Sequence, residues 1–317
     1  MTAPLVTVIC LCYNHRRFVR EAITSVINQT YSPIEIIIVD DHSADDSQSE
    51  IRSFLQDHSD IKFLALAENV GNCRAFNEGW KMAKGEFVVD FATDDVMSPD
   101  RIAKQVQYFE SHTDVGVVFT DAEYIDENGH IIREHFRHLK SHGLLAEIPE
   151  GDVYADVLKT YFISGPTMLV RREVFEKLNG YDEELVYEDF DFWVRSARYF
   201  RYGFLDDKST QVRIHSNSLS QRWYRPGDRQ VHSTYLVCKK AMKLNANESE
   251  NDALAQRLRF EIRQCVFSGN REHAVLFYEL LGTLGKRDLL SAVMMMLNRL
   301  ELPLSRLRNW YHRIRYS

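Results

Sequence analysis

Two pairs of adjacent aspartates, Asp40-Asp41 and Asp94-Asp95, are the residues whose type and spacing best suit chemistry. Each pair follows an apolar, β-rich run: Ile-Ile-Ile-Val before the first, Phe-Val-Val-Asp-Phe-Ala-Thr before the second. A strand ending there delivers its next residues to the carboxyl edge of a sheet, where open α/β proteins bind ligands. Carboxylates gathered at such an edge repel one another and raise each other's pKa values. A divalent cation such as Mg²⁺ or Mn²⁺ relieves that repulsion, because oxygen-rich sites suit hard cations. The pairs therefore point to metal-assisted chemistry on a phosphorylated ligand.

Strand and helix signals alternate through the first half, as positioning these pairs requires. Leu5–Cys12 is a continuous β-rich run, and Phe18, Val19, Ala22, Ile23, Val26 and Ile27 follow with helical spacing. Ile34–Val39, Ile61–Leu66 and Glu86–Phe91 read as further strands, with a helix face of Cys73, Phe76, Trp80 and Ala83 before the last. Ser98-Pro99-Asp100 predicts a helix capped by the serine, with proline at its first position. Val115–Thr120 is another strand, and Asp126-Glu127-Asn128-Gly129 supplies hairpin chemistry. Strand–helix–strand units of this kind imply right-handed crossovers and a mostly parallel α/β sheet. Residues 130–155 read as a mobile loop region, a helix begins near Tyr187-Glu188-Asp189, and helical pattern dominates from Gln230, broken at Asn245–Asp252.

A chain of 317 residues suits one large α/β domain plus an accessory segment. A net charge of −7 argues against general nucleic-acid binding, which needs a basic face. No apolar stretch approaches the roughly 20 residues of a membrane span. The N-terminus reads as a first strand and not as a signal peptide. Five cysteines show neither a CxxC pair nor a zinc spacing, and the odd count favours a reducing compartment, with cytoplasm as the default. The segment from Leu302 carries Arg306, Arg308, Arg313 and Arg315, no acidic residue, and Leu304, Leu307, Trp310, Tyr311 and Ile314. A basic amphipathic tail of this composition either docks on its own domain or makes peripheral contact with an anionic membrane.

The ligand narrows by what is missing. The sequence has no GxxxxGK[ST] loop and no GxGxxG after the first strand. Instead that strand ends in Cys12-Tyr13-Asn14. A tyrosine ring stacks on a nucleobase, and an aspartate accepts imino or ribose hydrogens. With a cation to grip a diphosphate, the set suits a nucleoside diphosphate conjugate.

Several ordered segments carry a resemblance: Val6–Asn14, Gln29-Thr30-Tyr31, Glu35–Ser43, Asn69-Val70-Gly71, Ala75–Gly79 and Ala83–Phe87. With Tyr187–Arg195 and Arg213–Ser218, the order is similar to that of family 2 glycosyltransferases over roughly residues 4–220. The resemblance implies a GT-A fold over 1–225, a helical C-terminal region over 226–317, and an inverting, hexosyltransferase-type reaction. It implies a nucleoside-diphosphate sugar donor, Mn²⁺ or Mg²⁺, and a glycan or lipid-linked acceptor in surface polysaccharide synthesis. Carried over by position, Tyr13, Asn14, Asp40 and Asp41 hold the nucleoside, Asp94 contacts ribose, Asp95 and His215 take the metal, and Asp189 is the catalytic base. Two departures stand out. Leu11-Cys12 replaces the usual Pro-Thr, and Ala92 replaces the first aspartate of Asp-x-Asp-Asp. The resulting Ala-Thr-Asp-Asp is closest in form to the spore-coat polysaccharide glycosyltransferase branch.

The implied mechanism is one in-line displacement, with Glu188 and Asp191 as rival bases to Asp189 and Arg213 as a further aid to the diphosphate. An aspartate near pKa 3.9 cannot take an alcohol's proton outright, so transfer must run with bond formation. Trp223 follows Gln221-Arg222, but Leu219 stands where processive synthases have glutamine, which indicates a non-processive enzyme. A sugar nucleotidyltransferase would want a glycine-rich basic loop where Tyr13-Asn14-His15-Arg16 stands. A non-catalytic nucleotide-sugar-binding module would leave Glu188-Asp189 idle.

Overall fold

The computed structural model describes residues 3–215, 224–225 and 227–300. The tail from Leu302 and the Gln221–Trp223 segment lie outside those residues. In chain order the elements begin β1 (Val6–Cys12), α1 (Val19–Ile27), β2 (Ile34–Asp40), α2 (Ser47–Phe54), β3 (Lys62–Ala65), α3 (Asn72–Met82) and β4 (Phe87–Ala92). There follow β5 (Val96–Met97), α4 (Arg101–Ser111), β6 (Val115–Thr120), β7 (Glu123–Ile125), β8 (Ile131–Glu134), α5 (His135–Ser141), α6 (Tyr154–Lys159), β9 (Leu169–Arg171) and α7 (Arg172–Leu178). The last are α8 (Asp189–Ala197), β10 (Arg201–Leu205), β11 (Thr210–Arg213), α9 (Arg229–Leu244), α10 (Glu248–Ser268), α11 (Arg271–Thr283) and α12 (Leu289–Arg299).

The chain divides into two compact units. The first comprises residues 1–153, 162–183 and 195–215, and the second residues 154–161, 184–194 and 216–317. The first holds a seven-stranded sheet ordered β10-β6-β9-β4-β1-β2-β3 and a four-stranded sheet ordered β5-β11-β7-β8. β1 runs parallel to β2 and β4, while β9 lies antiparallel between β4 and β6. The mostly parallel sheet expected from the alternating pattern is present. The interior strand β1 is buried along its whole length, which explains why Val6–Cys12 is apolar without alternation. Val19, Ala22, Ile23 and Val26 of α1 pack into the same core as Val8, Ile38, Val89 and Phe91.

Two expectations change. Residues 130–155 contain β8 and α5, so the region is not a plain loop. α4 starts at Arg101 with Asp100 at its N-cap, two residues later than the serine cap predicts. Ser98 is held by the small sheet instead, since its amide donates to Ser209 O at 2.9 Å.

In the second unit α10 packs against α6, α9, α11 and α12. Ala253, Leu254, Leu258, Ile262 and Cys265 bury its inner face. The Arg257 guanidinium donates to Glu261 at 3.2 Å and lies 4.0 Å from the Tyr161 ring centroid. The helical pattern breaks only at residues 245–247, between α9 and α10, and Glu248–Asp252 of the expected break form the start of α10 behind the Asn247 cap. Among the described residues no helix is long and apolar enough to cross a membrane.

Candidate active site

Strand register sets the site. Cys12 pairs with Asp40 and Leu11 with Ala92, so β1, β2 and β4 end together. Residues 13–15, 41–43 and 93–95 therefore leave the sheet at one edge. Asn14 and His42 both adopt left-handed backbone conformations, with φ of 60° and 58°. Asparagine tolerates that region because its side chain bonds locally. Here Asn14 Oδ1 accepts the amides of Ala44 at 2.7 Å and Asp45 at 3.2 Å, while its own amide donates to Ser43 Oγ at 2.9 Å.

Asp40 is fully buried and braces the same turn. Its Oδ1 accepts the Ser43 amide at 3.0 Å and Gln48 Nε2 at 2.7 Å, and its Oδ2 accepts the Ser43 hydroxyl at 2.5 Å. Asp41 reaches the start of α3, where Oδ1 accepts the Val70 amide at 2.7 Å and Oδ2 the Gly71 amide at 2.9 Å. Burial pushes the Asp41 carboxyl up, against the pull of those amides. Tyr13 beside them is 47% exposed, leaving its ring open to solvent.

The turn after β4 has a different character. Asp94 Oδ2 lies 3.0 Å from His215 Nε2 and 3.8 Å from His15 Nε2. The His15 ring is fixed from its other side, with Nδ1 2.9 Å from Thr93 Oγ1. His215 packs against Phe18 and meets His15 edge to face at 6.0 Å. One ligand atom from each of His15, Asp94 and His215 comes within 4.8 Å of the others. Burial alone would raise the Asp94 carboxyl, but the two histidines hold it below the ordinary carboxylate range. Burial also depresses the His15 imidazole, against the pull of Asp94. The Nε2 atoms of both histidines face Asp94 Oδ2, so with each ring protonated at Nδ1 their lone pairs would suit a cation beside that carboxylate. Two imidazoles and one carboxylate are a donor set that fits a divalent transition metal.

Asp95 points elsewhere. Its Oδ1 accepts the Arg213 amide at 2.9 Å, and burial together with the neighbouring Asp94 charge drives its pKa well up. Arg213 itself donates Nε to Asp94 O at 2.9 Å and Nη2 to Glu21 at 2.8 Å, with Phe18 under its guanidinium. The fully buried Arg101 supplies a positive charge near Asp95, and burial lowers its own pKa to about 9. The structure thus brings Asp94, assigned to the ribose from the sequence, together with His215, and adds His15. It does not bring Asp95 into that cluster.

Asp189 belongs to the second unit, as the first residue of α8. The Val186 amide donates to Ser233 Oγ at 3.1 Å, and Tyr187 Oη meets Thr234 Oγ1 at 2.7 Å, tying the segment to α9. Burial, reinforced by Glu188, raises the Asp189 carboxyl well above an ordinary aspartate. Asp191 is almost fully buried and paired with Lys240 at 2.6 Å, which weakens its case as a rival base.

Residues 7–179 match the family described as Glycosyl transferase family 2. An uncharacterized glycosyltransferase of Methanocaldococcus jannaschii is 30% identical over 68% of this chain and 72% of its own length. One from Rickettsia prowazekii is 31% identical over 68% of this chain, which spans only 65% of that relative. Among solved structures, S. aureus TarS 1–349 in complex with UDP-GlcNAc superposes with a TM-score of 0.71 at 17% identity, covering 96% of this chain and 92% of that one. The mannosyltransferase PcManGT of Pyrobaculum calidifontis, in complex with GDP-Man and Mn²⁺, gives 0.61 at 18% identity over 98% and 84%.

Proposed function

The chain belongs to glycosyltransferase family 2 with a GT-A fold, and from that premise we propose a metal-dependent, inverting, non-processive transfer. The donor is a nucleoside-diphosphate sugar, and the acceptor is a hydroxyl of a glycan or lipid-linked molecule in surface polysaccharide synthesis. The observation that carries this reading is the cluster of Asp94, His215 and His15 at the sheet edge that also holds Tyr13 and Asp41. A donor nucleotide and a divalent cation suit that edge together. TarS with UDP-GlcNAc and PcManGT with GDP-Man and Mn²⁺ support the same chemistry for this chain.

In this reading Tyr13 stacks on the base, and Asp41 accepts from it through lone pairs not used by Val70 and Gly71. Asn14 and Asp40 keep that loop in shape. Asp94, His215 and His15 would hold the cation, Mn²⁺ or Mg²⁺, which when bound would supply positive charge to stabilise the departing diphosphate. Asp95 moves from ligand to support, holding the Arg213 amide beneath the turn. Asp189 takes the acceptor hydroxyl proton while that oxygen bonds to the anomeric carbon and the bond to the diphosphate breaks. Its raised pKa makes it a stronger base than a solvent-exposed aspartate, which eases the mismatch noted for an ordinary carboxylate. All five cysteines are buried free thiols, in keeping with a reaction on the cytoplasmic side.

A thermal-shift panel of nucleoside diphosphates and their sugars, with and without Mn²⁺, tests the reading, followed by turnover on the best donor. Asp189→Asn is expected to lower transfer by about 10²–10⁴-fold without changing donor affinity. Donor binding indifferent to metal, or full transfer by that variant, would overturn the mechanism.

A further inference from the structure

We propose that the cavity at the carboxyl ends of β6 and β10 is the subsite that grips the acceptor sugar, an inference that rests on the transferase reading above. The cavity has a volume of about 570 Å³, within the range of small-molecule sites. Sheet register gives its place. Val88 of β4 and Val117 of β6 both pair with Val170 of β9, so Asp121 leaves the sheet level with Ala92. Two strand spacings, roughly 10 Å, separate those positions. Leu205 pairs with Thr120, which places Asp206 level with Asp121 on the next strand. The cavity therefore lies on the same sheet edge as the cluster of Asp94, His15 and His215, and shares no residue with it.

Asp121 is the fixed part of the lining. The residue is only 6% exposed, and its Oδ1 accepts the amides of Ala122 at 2.8 Å and Phe136 at 3.0 Å. Its Oδ2 has no hydrogen-bond partner among the described residues and is not sealed from solvent. A carboxylate oxygen held in that way needs a donor from whatever fills the cavity. Asp206 also lines the cavity, with a side chain that bonds to no described residue. Cations stand at the exposed rim: Lys140, and Arg137, whose Nε lies 3.0 Å from Glu134.

This mixture of charges selects a hydroxylated ligand. A sugar hydroxyl donates to a carboxylate and accepts from an ammonium or guanidinium at the same time. A phosphate would meet two carboxylates, and an amine would meet Lys140 and Arg137. A planar base would want an open ring to stack on, but Phe136 is 3% exposed and packs edge to face on Phe204 at 5.2 Å. Ile148 supplies apolar lining for the C–H face of a pyranose.

Saturation-transfer NMR of the full chain reads the cavity without turnover. The probes are the methyl glycosides of glucose, galactose, mannose and N-acetylglucosamine, with and without Mn²⁺ and UDP or GDP. At least one glycoside is expected to bind. Asp121→Asn keeps an oxygen for Ala122 and Phe136 but turns a donor toward the cavity, and should weaken that binding at least about tenfold. Asp206→Ala breaks no bond to a described residue and should weaken it likewise, with an unchanged melting temperature. In transfer to the bound glycoside, both variants should raise the acceptor KM and leave the donor KM as it was. No binding of any glycoside, or equal binding by Asp206→Ala, would overturn the proposal while leaving the transferase reading in place. A melting temperature that no nucleoside diphosphate moves would instead remove the transferase reading, and this subsite with it.

Discussion

Asp40-Asp41 and Asp94-Asp95 are the same dipeptide following the two strands that flank β1, yet the groups that meet them differ. In the first pair all four carboxylate oxygens accept hydrogen bonds from within the chain: from Ser43 and Gln48 for Asp40, from Val70 and Gly71 for Asp41. In the second, Asp95 is turned inward to the Arg213 amide while Asp94 faces two imidazoles. The neighbours even shift in opposite directions, Asp94 down and Asp95 up. What decides the use of an acidic pair is which donors the adjoining backbone turns toward it. Where amides and hydroxyls reach every oxygen, the pair fixes the shape of a loop and leaves only second lone pairs for a ligand. Where side-chain nitrogens converge on one oxygen, it can share a ligand with them.

The contrast is most exposed to failure at Asp94. Asp94→Asn should abolish the Mn²⁺ signal lost from solution in electron paramagnetic resonance titrations and cut transfer by about 10³-fold, with little change in melting. If Asp40→Asn costs as much metal affinity, the division between the pairs is wrong. Asp40→Ala should act on stability, by roughly 1–3 kcal/mol in urea unfolding, because it orphans the donors of Ser43 and Gln48. Thr93→Val removes the partner of His15 Nδ1 and should weaken Mn²⁺ binding about tenfold by calorimetry. An unchanged affinity would remove His15 from the ligand set.

The smallest expected effect concerns pH. Asp189, like Asp95, is raised by burial first and by an adjacent carboxylate second. A base must be deprotonated, so activity should rise with pH through the elevated pKa of Asp189. Glu188→Gln removes a negative neighbour, lowers that pKa, and should move the acidic limb of the kcat profile to lower pH. A limb that stays put, or moves up, would show that another group titrates.

The strands and the sheet edge were legible because buried parallel strands leave long apolar runs, as in Val6–Cys12 and Ile34–Asp40. Asp94 and His215 were singled out through their motifs, though for separate tasks, and the sequence did not show that the two side chains meet. His15 was missed: its partners Thr93 and Asp94 lie far along the chain, and only the left-handed Asn14 directs it inward. That asparagine directly before a histidine at a strand exit was the one available signal. β8 and α5 escaped notice because β8 exposes Ile131 and Ile132, so no buried alternation marks it. The inward turn of Asp95 depended on the Arg213 amide, a backbone group that no sequence pattern announces.

The placement of β9 has a consequence for how the chain is made. It fills the gap between β4 and β6, both of which precede it. From the end of β6 at Thr120 to the end of β9 at Arg171, the ribosome must add about 50 residues, which takes roughly 3–10 s at ordinary elongation rates. Throughout that interval the edges of β4 and β6 that flank the gap are unpaired, and unpaired strand edges are a known route to aggregation. Chains released before Leu169 should be captured by chaperones or precipitate, whereas chains released after β10 should not, as pelleting of staged truncations would show. A three-residue strand thus sets the moment at which this protein becomes safe to leave unattended.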